Sequence, residues 1–138
     1  MALQSPAEAI RQARRLLDLA EGDEGEAHLV RRLDAPAGSY YLVHAAGRLA
    51  ALDAASGELM ASAETSRSTV TLSRDDAIAR AGLAGDPQAG LAWAPSAASL
   101  SMFDPLWAVS AGGRTVYVDQ RGKVWGELPA KRPGGGPG

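Results

Sequence analysis

The chain contains no cysteine among its 138 residues, so a disulfide framework, a thiolate metal site and a thiol nucleophile are all excluded. Imidazole is almost as scarce, with His28 and His44 the only two histidines. Aromatics amount to three tryptophans, three tyrosines and one phenylalanine, so any that falls on a surface phase stands out. No stretch approaches the roughly 18 apolar residues of a membrane helix. The start, Met1-Ala-Leu-Gln-Ser-Pro6, lacks the basic opening and apolar core of a signal peptide. Taken as complete, the chain is expected in the cytoplasm; with a signal or anchor removed ahead of Met1, the cell envelope or secretion follows instead. A strong charge of one sign is absent too. The formal net charge is −2, which argues against nucleic acid, whose partners normally carry a basic face.

What the chain does have is a repeat. Tyr41-Leu-Val-His-Ala-Ala-Gly-Arg-Leu-Ala-Ala-Leu-Asp53 aligns without a gap on Trp107-Ala-Val-Ser-Ala-Gly-Gly-Arg-Thr-Val-Tyr-Val-Asp119, with Val43/Val109, Ala45/Ala111, Gly47/Gly113, Arg48/Arg114 and Asp53/Asp119 identical. Each copy then reaches a glycine, Gly57 or Gly122, a charged residue and an apolar strand, Leu59-Met60 or Val124-Trp125. Upstream, Ser5-Pro-Ala-Glu-Ala-Ile10 parallels Ser73-Arg-Asp-Asp-Ala-Ile78. Repetition at this period signals duplicated supersecondary units, over 5–64 and 73–128, joined near Thr65-Ser-Arg-Ser68. Units of about 60 residues lie near the lower limit of independent stability, so mutual support is expected. The Pro/Gly-rich tail 129–138 is expected to be disordered.

Ser5 with Pro6 and Glu8 reads as a helix start with a capping box. Ala9, Ile10, Ala13, Leu16, Leu17 and Ala20 then recur at helical spacing, predicting a helix that ends near Gly22 ahead of the acidic turn 21–26. Ser73 with Asp76 opens a second, shorter helix that stops by Gly85-Asp-Pro87. Afterwards the period changes to two. Strands are predicted near 27–34, 40–45, 48–53 and 58–64, and near 90–94, 99–103, 106–111, 114–118 and 123–128. Ala46-Gly47 and Gly112-Gly113 form the two-residue hairpin turns that need positive φ. The fold class is therefore α+β, each copy one helix on an antiparallel meander.

The order of helix, strands and the pattern aromatic-x-Val, Gly-Arg, Asp, Gly-x-apolar resembles the PepSY family, whose small domains have a cystatin-like fold. It is carried by Tyr41/Trp107, Val43/Val109, Asp53/Asp119 and Gly57/Gly122, over nearly all of both copies. The first copy departs in having Ala50-Ala51 where the second has Val116-Tyr117, and the turn after Asp119 is one residue shorter than that after Asp53. The resemblance implies a binding or regulatory module, including the inhibition of peptidases, rather than catalysis.

The candidate chemistry points the same way. Asp53 and Asp119 recur without a His or carboxylate at ligand spacing, which suits turn residues that accept backbone N–H bonds. Arg48 and Arg114 read as solvated hairpin exits. His28 and His44 fall on predicted strands, and no nucleophile motif of the Gly-x-Ser-x-Gly kind accompanies them. The cluster Glu21, Asp23, Glu24, Glu26 lacks the alternation and distal glutamate of a calcium loop, and Gly134-Gly-Gly136 opens no helix, so it is no nucleotide loop. No catalytic residue, metal or cofactor is expected. The remaining signal is apolar residues on the outward phase. If Tyr41, Val43 and Ala45 face the helix, then Tyr40, Leu42 and His44 face away, and Tyr117 and Trp125 do so in the second copy if Val116, Val118 and Val124 face in. These five residues are read as a surface that meets something: the other copy, a second chain in a homodimer, or a protein or peptide partner such as a peptidase. A structural or sensor fragment of a larger envelope protein, and a small-molecule binder using a groove between the copies, are the alternatives.

Overall fold

Ser5 is extended, and its hydroxyl accepts the Glu8 N–H, starting helix α1 (Pro6–Leu16) with proline in its first turn. The Glu8 carboxylate reaches back to the Gln4 N–H at 2.8 Å, so the cap is closed one residue beyond the reciprocal bond of a capping box. The computed structural model describes residues 2–20, 25–34, 38–96, 98–99 and 101–127. Within that range the chain is α+β, with two helices and eight strands. It divides into two compact units, Met1–Thr69 and Val70–Gly138. The acidic residues 21–24, the end of the predicted strand at 128 and the tail 129–138 lie outside the described residues.

In the first unit α1 is followed by β1 (Glu26–Arg32), β2 (Ser39–Ala45), β3 (Arg48–Asp53) and β4 (Leu59–Glu64). Each strand pairs antiparallel with the next, with Tyr41 opposite Leu52 and Val43 opposite Ala50. Ala9, Ile10 and Ala13 of the helix and Leu3 before it pack on Tyr41, Val43, Ala45, Ala50 and Leu52. This is the helix-facing alternation expected of β2, and burying each large aliphatic side chain contributes about 1.5–3 kcal/mol. The helix ends earlier than its apolar periodicity predicts. Asp18 adopts φ 56, and its N–H and that of Leu19 bond back to the Arg15 and Arg14 carbonyls. This is a Schellman closure with aspartate in the place glycine usually holds. Leu16 and Ala20, expected on the buried stripe, are consequently exposed, while Leu17 still packs on the core.

In the second unit Ser73 caps α2 (Arg74–Ala81), which Gly82 ends at φ 63. Strands β5 (Gln88–Trp93), β6 (Leu106–Ala111), β7 (Arg114–Val118) and β8 (Val124–Trp125) again pair with their neighbours in sequence. Among the described residues of the strand predicted near 99–103, which exclude residue 100, none lies in a strand. Its serines satisfy the backbone locally instead, as hydroxyls in irregular segments do. Ser99 exchanges backbone bonds with Ser96, its hydroxyl oxygen lies 2.6 Å from the Asp104 carbonyl oxygen, and the Ser101 hydroxyl accepts the Phe103 N–H. The last strand, predicted over 123–128, shrinks to two residues. Val124, expected to face inward, is 40% exposed, because so short an edge segment has little to pack against.

Candidate functional site

Both Asp-to-Gly turns are built by the same bonds. The Asp53 N–H donates to the Glu58 carbonyl and the Gly57 N–H to the Asp53 carbonyl; the Asp119 N–H donates to the Lys123 carbonyl and the Gly122 N–H to the Asp119 carbonyl. Gly57 and Gly122 hold φ 76 and 89, a region that favours glycine. In the hairpins upstream, Ala46-Gly47 adopt φ 51 and 74, and Gly112-Gly113 adopt 58 and 78. Each turn is also approached by a side chain from its helix. Gln12 Nε2 donates to the Gly57 carbonyl at 2.9 Å. The Arg80 guanidinium lies so close to Gly122 that a Cβ there would meet it at 2.6 Å. Gln12 and Arg80 occupy the same position relative to their caps, Ser5 and Ser73.

The two aspartates differ in what surrounds them. Asp53 is half-buried and accepts from the Ala55 and Ser56 N–H groups at 2.8 and 3.0 Å; the Ser56 bond above all holds its pKa below the usual carboxylate range. Asp119 is 1% exposed and accepts the Arg121 and Lys123 N–H groups at 2.9 Å each and Trp125 Nε1 at 3.2 Å. Burial pushes its pKa up, but these bonds and the Arg121 guanidinium outweigh it and leave it lowered. Arg121 also reaches Asp104 at 3.5 Å, whose pKa burial raises.

Around this buried carboxylate stands the site's one aromatic pair. Tyr117 and Trp125 are directly opposed across β7 and β8, and both are half-exposed. Lys123 Nζ sits 4.1 Å from the Trp125 ring centroid, a cation–π contact. One ring face is thus covered by Lys123 while the indole N–H is tied to Asp119. The Trp125 ring is thus held in one orientation, with Lys123 over it and Arg121 bonded to the same Asp119 carboxylate.

The other outward residues are placed differently. Tyr40 and Leu42 lie on the face opposite the α1 core, and at 0% and 2% exposure they are buried in the folded chain and present no free surface to an outside partner. His44 is half-exposed and its Nε2 lies 3.1 Å from the Thr65 carbonyl oxygen. His28 Nε2 lies 3.2 Å from Glu26. Among the described residues no group of three or more His, Asp or Glu side chains is arranged to hold a metal ion.

Gln120 is a residue that sequence reasoning passed over. It is buried, accepts the Thr71 and Leu72 N–H groups through Oε1 at 3.0 and 2.9 Å, and donates from Nε2 to the Pro105 carbonyl at 2.9 Å. Only its adjacency to Asp119 marked it. The first unit holds a groove of about 880 Å³ lined by Leu3, Gln4, Arg11, Gln12, Arg15 and Leu19, among others. In comparisons with known proteins, no family model, curated protein or solved structure matches the chain.

Proposed function

We propose that this chain is a non-catalytic protein-binding module made of two PepSY-like, cystatin-like copies of one helix-on-sheet unit, acting on a protein partner of the peptidase class. The duplication is supported by the matching bonds of the turns at Asp53–Gly57 and Asp119–Gly122 and by the approach of Gln12 and Arg80, at equivalent helix positions, to Gly57 and Gly122. The binding role rests on a single observation: Trp125 is half-exposed yet locked by Asp119 and Lys123. A large aromatic held in one orientation loses little entropy when a partner covers it, which is the property of an interface anchor. Tyr117, beside it and with the same phase, extends the contact.

The test is titration of the purified chain into secreted metallopeptidases, with Tyr117→Ser and Trp125→Ala run beside the wild type. A stoichiometric loss of peptidase activity, weakened at least about tenfold in either variant while the melting temperature of Tyr117→Ser stays near that of the wild type, is expected. Undiminished inhibition by both variants would remove the aromatic pair from the reading. Failure to inhibit any peptidase would remove the partner class.

A further inference from the structure

We infer that the groove along α1 is a second binding site, for an extended acidic peptide segment, going beyond the Tyr117–Trp125 surface and lying in the other unit. The groove runs between the segment Ala2–Gln4 and one side of the helix, with Leu3 and Leu19 among its apolar walls. Arg11, Arg14 and Arg15 line it against Glu8 and Asp18, so three positive and two negative side chains leave an excess of one positive charge. Glu8 is already engaged by the Gln4 N–H. Among the described residues no ion pair takes up Arg11 or Arg15. Arg15 is also positioned: its guanidinium donates to Gln12 Oε1, and Gln12 Nε2 is in turn anchored on the Gly57 carbonyl.

The spacing selects the ligand. Arg11 and Arg15 are four apart on a helix, which sets their Cβ atoms about 6 Å apart on one face. Carboxylates two residues apart on an extended chain recur at about 6.6 Å, pointing to the same side. An acidic segment with alternate Asp or Glu therefore repeats at the spacing of the two arginine side-chain bases, and each guanidinium can make a two-bond contact with a carboxylate. The second helix serves as an internal comparison. Aligned on Ser5 and Ser73, the positions of Arg11, Arg14 and Arg15 hold Ala79, Gly82 and Leu83, whereas the position beside the Asp-to-Gly turn keeps a polar side chain in both, Gln12 and Arg80. Arg11, Arg14 and Arg15 are thus peculiar to the first helix.

Fluorescence anisotropy of a labelled Glu-Leu-Glu-Leu-Glu peptide with the full chain tests this, against the Gln-Leu-Gln-Leu-Gln counterpart. Saturable binding of the acidic peptide below about 1 mM, at least tenfold tighter than the neutral one and weakened severalfold when salt rises from about 0.05 to 0.3 M, is expected. Arg11→Gln with Arg15→Gln should lose at least tenfold in affinity with an unchanged melting temperature. The charge-matched control, Arg31→Gln with Arg67→Gln, should bind like the wild type. Equal binding of the two peptides, equal loss in the control pair, or no saturation would overturn the inference, as would full displacement of the peptide by inorganic phosphate at the peptide's own concentration. The Tyr117→Ser variant reports on the other surface, so either site can fail alone.

Discussion

Ala46 and Gly112 hold the same turn position with nearly the same backbone, φ 51 and 58, but only one of them is free of a Cβ. The left-handed region costs a non-glycine residue roughly 1–2 kcal/mol, partly offset by glycine's greater freedom in the unfolded chain. Ala46→Gly is therefore expected to stabilise the protein by about 0.5–1 kcal/mol and Gly112→Ala to destabilise it by about as much, both read from urea denaturation midpoints. The aspartates at the Asp-to-Gly turns should separate in the same measurement. Asp119→Ala leaves two backbone N–H groups and the Trp125 indole N–H without their acceptor in a buried place and should cost about 1–3 kcal/mol, with a change in Trp125 fluorescence. Asp53→Ala, half-exposed and with water at hand, should cost less, about 0.5–1.5 kcal/mol.

Elements were legible in the chain where their determinants are local. The caps at Ser5 and Ser73, the hairpins at Ala46-Gly47 and Gly112-Gly113, and the inward phase of Tyr41, Val43 and Ala45 all follow from neighbours within a few residues, and the structure places them so. The misses share a cause. The apolar spacing that carried α1 on to Ala20 did not register that Asp18 would turn left-handed and close the helix at Leu16. Apolar and serine-rich residues near 99–103 read as a strand, whereas Ser99 spends its hydroxyl on the Asp104 carbonyl and accepts the Trp93 indole N–H. Ser99→Ala should strand those groups in a 4% exposed position and cost about 1–3 kcal/mol, with loss of protection from proteolysis in this loop as the second readout. Val118→Ala, a plain core truncation at 0% exposure, should cost a similar 1–3 kcal/mol without that local loosening.

Across the whole molecule the carboxylates set the response to acid. Glu26, Asp34, Asp53 and Asp119 all titrate below their ordinary range when folded. For Glu26 the leading cause is a hydrogen bond from Ser68, and for Asp34 one from Arg32. Each contributes stability that is fully present above its unfolded pKa and is lost as pH falls through the lower folded value. Asp104 runs the other way, because burial raises its pKa and disfavours its ionised form, so protonation relieves the fold. Stability should therefore hold from neutral pH to about 5 and fall below about 4. The stability of Asp104→Asn relative to the wild type should shift toward the wild type as pH drops from about 7 to about 4. Denaturation midpoints across that range measure both; a constant difference would show that Asp104 does not titrate there.

By itself the sequence determined what short-range forces control: two capped helices, two glycine hairpins, two Asp-to-Gly turns and the alternation of the strands. Alternation states which face a side chain takes, but not whether anything lies over it. The tertiary structure alone decided that Tyr40 and Leu42 are buried while Tyr117 and Trp125 stay half-exposed. It also decided that Gln120 bonds residues as far away as Thr71, and that Arg11 and Arg15 border a groove with Leu3. Those outcomes depend on segments distant in the chain meeting in space, and a hydrogen bond or a covered face exists only once they have met.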